Sequence, residues 1–103
     1  VIPAYCQHNA HMYYLLLRDH IERYKFLERL QERGVRSVFH YVPLHSSEAG
    51  KKFGRFHGED RYTTRESERL LRLPLFYSLT DEQIDYISGK VCDFFSSENK
   101  KNQ

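Results

Sequence analysis

Apolar positions along this chain change their spacing from segment to segment, and each change marks an element. Met12-Tyr13-Tyr14-Leu15-Leu16-Leu17 is an unbroken apolar and aromatic run closed by Arg18-Asp19. A run of that length suits a strand buried on both faces. Ile21, Tyr24, Leu27 and Leu30 then recur at helical spacing with Phe26 beside them, behind an Asp19–Glu22 pair set at the N-cap and N3 spacing of a capping box. The spacing predicts a helix over 20–33. Gly34 stops it, because glycine takes the left-handed conformation after a helix end without steric cost. Val35, Val38, Phe39 and Tyr41 predict a second strand that ends at Pro43.

Between Leu44 and Tyr62 the pattern dissolves into Gly50, Gly54 and Gly58 among Lys51, Lys52, Arg55 and His57, with Phe53 and Phe56 as the only large apolar groups after Leu44. The expectation there is an ordered loop or lid. Thr63 and Glu66 form a second capping box opening a short helix to about Leu71, and Leu73-Pro74-Leu75-Phe76 predicts a brief third strand. Thr80 and Gln83 form a third box, and the helix behind it carries the stripe Ile84, Ile87, Val91, Phe94 and Phe95. The order is β-α-β-loop-α-β-α. The fold class expected is α+β: a small three-stranded, mainly antiparallel sheet with helices packed on one face, spanning residues 1–95. Ser96 to Gln103 is polar and aperiodic and reads as a disordered tail.

Composition narrows the partners. With 103 residues, 40% hydrophobic and 15% aromatic, the chain makes one domain whose core needs no disulfide or metal staple, so Cys6 and Cys92 need not be a framework. Sixteen Lys and Arg against fourteen Asp and Glu leave a net charge of +2, far from the concentrated positive field of a nucleic-acid binder. No apolar run approaches the roughly 18 residues of a membrane span, and no signal sequence opens the chain, so no membrane partner is expected and the protein reads as soluble and unsecreted. The chain begins Val1-Ile2-Pro3 and its only methionine is Met12, so it reads as a C-terminal piece of something longer.

Six histidines stand out, two of them bracketing the loop that follows the second strand in His40-Tyr41-Val42-Pro43-Leu44-His45. Loops after strands commonly hold functional groups on a rigid scaffold. Imidazole can both donate and accept, and a phenol adds a polar tip to an apolar body, a combination that suits a sugar hydroxyl or a phosphate. The plain alternative is a set of satisfied, half-buried polar side chains. Cys6, His8, His11, His40 and His45 hold metal-ligand atoms, but neither a C-x2-C pair nor an H-E-x-x-H helix is present, so no metal site is expected. Gly50 to Gly58 mixes glycine, cations and aromatics as a phosphate-facing loop does, yet lacks the Gly-Lys-Ser/Thr ending of a P-loop and reads equally as solvated surface. No Gly-x-Ser-x-Gly turn or activated cysteine supplies a self-contained catalytic site.

Several segments together are more specific than any of these. His8-Asn9-Ala10-His11-Met12-Tyr13-Tyr14, Val38-Phe39-His40-Tyr41-Val42-Pro43-Leu44-His45-Ser46-Ser47, Gly58-Glu59-Asp60-Arg61-Tyr62-Thr63-Thr64 and Ser67-Glu68-Arg69-Leu70-Leu71-Arg72-Leu73-Pro74-Leu75 closely resemble the C-terminal part of the DegT/DnrJ/EryC1/StrS nucleotide-sugar aminotransferases, in register from about residue 6 to 95. Glu48 departs from the family pattern, which usually has Pro in this Ser-Ser-x-Ala-Gly turn. The resemblance implies the small C-terminal domain of a cytoplasmic, homodimeric, fold-type I enzyme dependent on pyridoxal 5′-phosphate. That enzyme would move an amino group from glutamate to the 4-keto group of a dTDP-4-keto-6-deoxyhexose, for surface polysaccharide biosynthesis. The Schiff-base lysine and the cofactor would belong to the large domain of the same chain, leaving this piece without catalytic residues and inactive alone. On that resemblance His40, Tyr41, His45 and His11 are expected to wall the sugar-nucleotide pocket, with Lys51, Lys52 and Arg55 as further candidates for the diphosphate. A non-catalytic nucleotide- or protein-binding module remains the alternative.

Overall fold

A computed structural model describes residues 2–101 of the chain. Strand β1 (Tyr14–Leu16) leads into helix α1 (His20–Glu32), strand β2 (Val38–Phe39), a 3-10 turn at Leu44–Ser46, helix α2 (Glu48–Phe53), helix α3 (Thr63–Arg69), strand β3 (Leu70–Arg72) and helix α4 (Asp81–Lys101). The three strands form one antiparallel sheet in the order β1-β3-β2. This is the α+β class that the hydrophobic pattern predicts.

Capping explains the helix starts. The Asp19 carboxylate accepts from the Glu22 amide at 2.8 Å, while Glu22 reaches back to the Arg18 amide at 2.6 Å, one residue earlier than a standard box. Thr80 and Gln83 bond each other's amides at 3.0 and 3.3 Å, a reciprocal box at the head of α4. The box expected at Thr63–Glu66 does not form. Tyr62 is the N-cap of α3 and offers no side-chain bond, and the Asp60 carboxylate accepts from the Thr64 amide instead.

Register decides the core. Tyr14, Arg72 and Val38 stand opposite one another across the sheet, as do Leu15, Leu71 and Phe39 on the next rung. Residues directly opposite share a face. Leu71 turns to the helices, where it joins Phe26 and Leu30 at 0% exposure, with Leu17, Val35 and Phe94 around them. The rings of Phe26, Phe94 and Phe95 meet in tilted and edge-to-face contacts at centroid distances of 4.7 to 5.3 Å. Each buried phenyl contributes about 1.5–3 kcal/mol. The opposite face carries Tyr14, Leu16 and Val38, all exposed. The first run is therefore not a strand buried on both faces, because helices cover only one side of the sheet.

Three other expectations are corrected. The third strand is Leu70–Arg72 and not Leu73–Phe76: Leu73 makes the last bond toward β1, donating to the Tyr13 carbonyl at 3.0 Å, and Pro74 has no N–H to continue the ladder. The stretch 44–62 is not all loop. Ser47 caps α2 by accepting from the Gly50 amide at 3.0 Å, and Glu48 occupies the first helical position, where its charge complements the helix dipole. Last, α4 continues as helix to Lys101 through most of the segment read as a disordered tail, while Asn102 and Gln103 lie outside the described residues.

The molecule is loosely gathered for its mass. Its radius of gyration is 16.4 Å, against about 13 Å for a compact 100-residue domain. It exposes 8805 Å², whereas a 12.4 kDa monomer exposes about 6,100 Å². The excess exceeds the roughly 800 Å² that each partner buries in a standard interface.

Candidate functional site

At the end of the sheet where β2 finishes and β3 begins, the chain turns at Pro43 into the 3-10 turn that holds His45. The ring is fixed on two sides. Its Nε2 lies 2.8 Å from Asp60 Oδ2 and 3.3 Å from Thr64 Oγ1, and its face packs on Phe56 at a centroid distance of 4.4 Å. The Thr64 hydroxyl donates a short hydrogen bond to the same Asp60 oxygen, and the Thr64 amide donates to Asp60 Oδ1 at 3.3 Å. Those Thr64 bonds, with the hydroxyl foremost, hold the Asp60 carboxyl below the usual carboxylate range, and the His45 contact adds to them. Asp60 thus ties the 3-10 turn to the head of α3. His45 and Phe56 also line an open concavity of about 600 Å³ with Leu44, Gly50, Phe53 and Arg55.

Gly50 makes that concavity possible. A Cβ there would stand 1.7 Å from the Leu44 carbonyl oxygen, so only glycine lets α2 lie this close to the turn. The glycine serves this close packing. Lys51 and Lys52 sit in the last turn of α2, where cations complement the helix dipole, and Lys52 lies over the Phe53 ring at 5.1 Å.

The other predicted residues divide. His40 meets Tyr41 edge-on at 4.8 Å, and His40 Nδ1 is buried without a hydrogen-bond partner. Tyr41 lines a second hollow of about 410 Å³ with Arg23, Pro43, Thr64 and Glu68. His40, Tyr41, His45 and Arg55 therefore gather around one end of the sheet. His11 does not join them. The antiparallel register sends the segment before β1 off the opposite end, where the exposed His11 bonds Asn9 at 2.5 Å.

Two residues near the site escape sequence reasoning. Asp60 carries a readable signal, an acid three and four residues before Thr63 and Thr64 at a helix head, overshadowed by the apparent Thr63–Glu66 box. Arg72 carries none: it is half-buried over the Tyr41 ring at 5.7 Å, its Nε has no partner, and only the strand register brings it there.

Comparison with known proteins decides the family. Residues 2–92 match the model of the DegT/DnrJ/EryC1/StrS aminotransferase family. The chain belongs to that family. An uncharacterised protein of Methanocaldococcus jannaschii is 31% identical over 87 residues, covering 81% of this chain and 22% of that protein. The aminotransferase TlmJ from Streptoalloteichus hindustanus superposes with a TM-score of 0.81 at 27% identity, covering 96% of this chain and 26% of that structure. The chain thus spans about a quarter of the length of the relatives it matches.

Aminotransferases of this family depend on pyridoxal phosphate, and a Schiff-base lysine is the group to look for. Lys25, Lys51 and Lys52 are exposed, and Lys90 pairs with Asp93 at 3.6 Å beneath the Tyr86 ring. Lys25, Lys51 and Lys52 thus lack the desolvated setting of a Schiff-base lysine, while the half-buried Lys90 is held by its Asp93 partner. The side chains of Lys100 and Lys101 lie outside the described residues. Among the described residues no group of three or more His, Cys, Asp or Glu is placed to hold a metal, and no helix is long and apolar enough to cross a membrane.

Proposed function

We propose that this chain is the C-terminal, substrate-pocket-contributing domain of a pyridoxal-phosphate-dependent aminotransferase that aminates the 4-keto group of a nucleotide-linked deoxyhexose. The substrate is a dTDP-4-keto-6-deoxyhexose, the donor is glutamate, and the product is a dTDP-4-amino-4,6-dideoxygalactose for surface polysaccharides. The observation that carries this reading is the His45 ring, held by Asp60 and Thr64, on the wall of a concavity that also holds Arg55 and Phe56. Imidazole, guanidinium and aromatic faces together suit a sugar hydroxyl, a phosphate and a nucleoside. His40 Nδ1, buried and unbonded, supplies a further polar atom at the same end of the sheet. His11, Lys51 and Lys52 stay in the reading as outer contacts that a neighbouring domain would bring to the substrate.

The cofactor and its lysine belong to the larger part of the protein, which this family's members have and which these residues do not supply. The surface excess and the bare sheet face support docking against that part, with the whole enzyme a homodimer in the cytoplasm. The test uses the full-length parent enzyme. His45→Ala and His40→Ala are expected to raise KM for the keto sugar or lower kcat while the bound cofactor's visible absorbance stays unchanged. Wild-type kinetics in both variants overturn the site.

A further inference from the structure

A carboxylate can only accept, so the hydrogen between Asp60 Oδ2 and His45 Nε2 resides on the imidazole. Thr64 reinforces this arrangement, because its hydroxyl hydrogen is already committed to Asp60 and leaves an oxygen that also accepts from Nε2 at 3.3 Å. Neutral His45 is therefore held as the Nε2–H tautomer, and its other nitrogen carries the lone pair. That Nδ1 makes no hydrogen bond with any described residue and is not sealed from solvent. Phe56 packs against the ring, and the two residues line the same concavity.

We propose that Asp60 is a positioning residue that fixes His45 as a hydrogen-bond acceptor, through Nδ1, for a hydroxyl of the substrate bound in the concavity lined by Arg55 and Phe56. Division of labour follows from the chemistry. Arg55, always a donor, is suited to the anionic part of the substrate, while an accepting Nδ1 on His45 discriminates for a group that can donate. Oriented imidazoles of this kind lose their selectivity when the partner that sets the tautomer is changed.

The proposal rests on His45 facing substrate, and the experiment separates the two. In the full-length enzyme, Asp60→Asn keeps an oxygen for the Thr64 amide but can turn an amide N–H toward Nε2, which leaves Nδ1 as the donor. The expected result is a tenfold or greater rise in KM for the keto-sugar nucleotide with kcat, cofactor absorbance and KM for glutamate little changed. His45→Asn, whose amide oxygen stands near the place of Nδ1, is expected to retain more kcat/KM than His45→Gln, which reaches toward Asp60. Combining Asp60→Asn with His45→Ala should add nothing to His45→Ala alone. If His45→Ala impairs the enzyme while Asp60→Asn matches wild type, the positioning role is overturned and the pocket reading stands. If His45→Ala itself matches wild type, the pocket reading falls and the proposal with it.

Discussion

The half of the molecule around α1, β3 and α4 and the half spanning residues 40–62 keep their shapes by different means. In the first, Phe26, Leu30, Leu71 and Phe94 are buried and their rings interlock. In the second, every residue from 51 to 62 is exposed, and order comes from the Ser47 cap, the close pass of Gly50 and the Asp60 bonds to Thr64 and His45. Apolar burial is non-directional and tolerant of detail, whereas a polar latch depends on individual atoms. The difference fits a scaffold that carries a ligand-facing segment.

The sharpest break in that contrast comes from the core. Phe26→Ala is expected to cost about 3–5 kcal/mol, because it removes a fully buried ring and leaves a cavity against Phe94 and Phe95. Chemical unfolding of the chain measures it, and a loss below about 1 kcal/mol would mean the aromatic cluster is not the main support. Gly50→Ala comes next, at about 1–3 kcal/mol, since the added methyl meets a backbone carbonyl and α2 must shift. Its effect should be confined to residues 44–62, read as chemical-shift changes there and none in α1.

Ser47→Ala removes the cap of a six-residue helix and is expected to cost about 1 kcal/mol, again local to α2. Acid supplies the mildest probe. The folded pKa of Asp60 is depressed, so its contribution is fully present above the ordinary value of 3.8 and is lost as pH falls below it through the lower folded value. Amide exchange at Thr64, relative to α1, should therefore speed up on acidification below that value and stay flat across neutral pH. No change below that value would mean that the Asp60 carboxylate is not what holds the Thr64 amide.

Much of the scaffold was legible because periodicity and capping act locally. Ile21 to Leu30 and Ile84 to Phe95 mark their helices, Gly34 at φ 74 ends the first one, and Thr80 with Gln83 starts the last. The site was legible only in part. His45 stood out by its neighbours, but its bond to Asp60 spans 15 residues of irregular chain, and no local pattern encodes it. His11 shows the same limit from the other side, since strand register sends the segment before β1 and the residues after β2 to opposite ends of the sheet.

By itself the sequence determined the α+β class, the capped starts of α1 and α4, and membership of a family whose motifs lie at fixed spacing. Tertiary structure alone decided which face of the sheet is covered, that β3 stops before Pro74, and that Asp60, Thr64 and His45 meet. The physical reason is the range of the interactions: helix periods and caps act within about four residues, while strand register and a cross-loop hydrogen bond exist only after distant segments have packed.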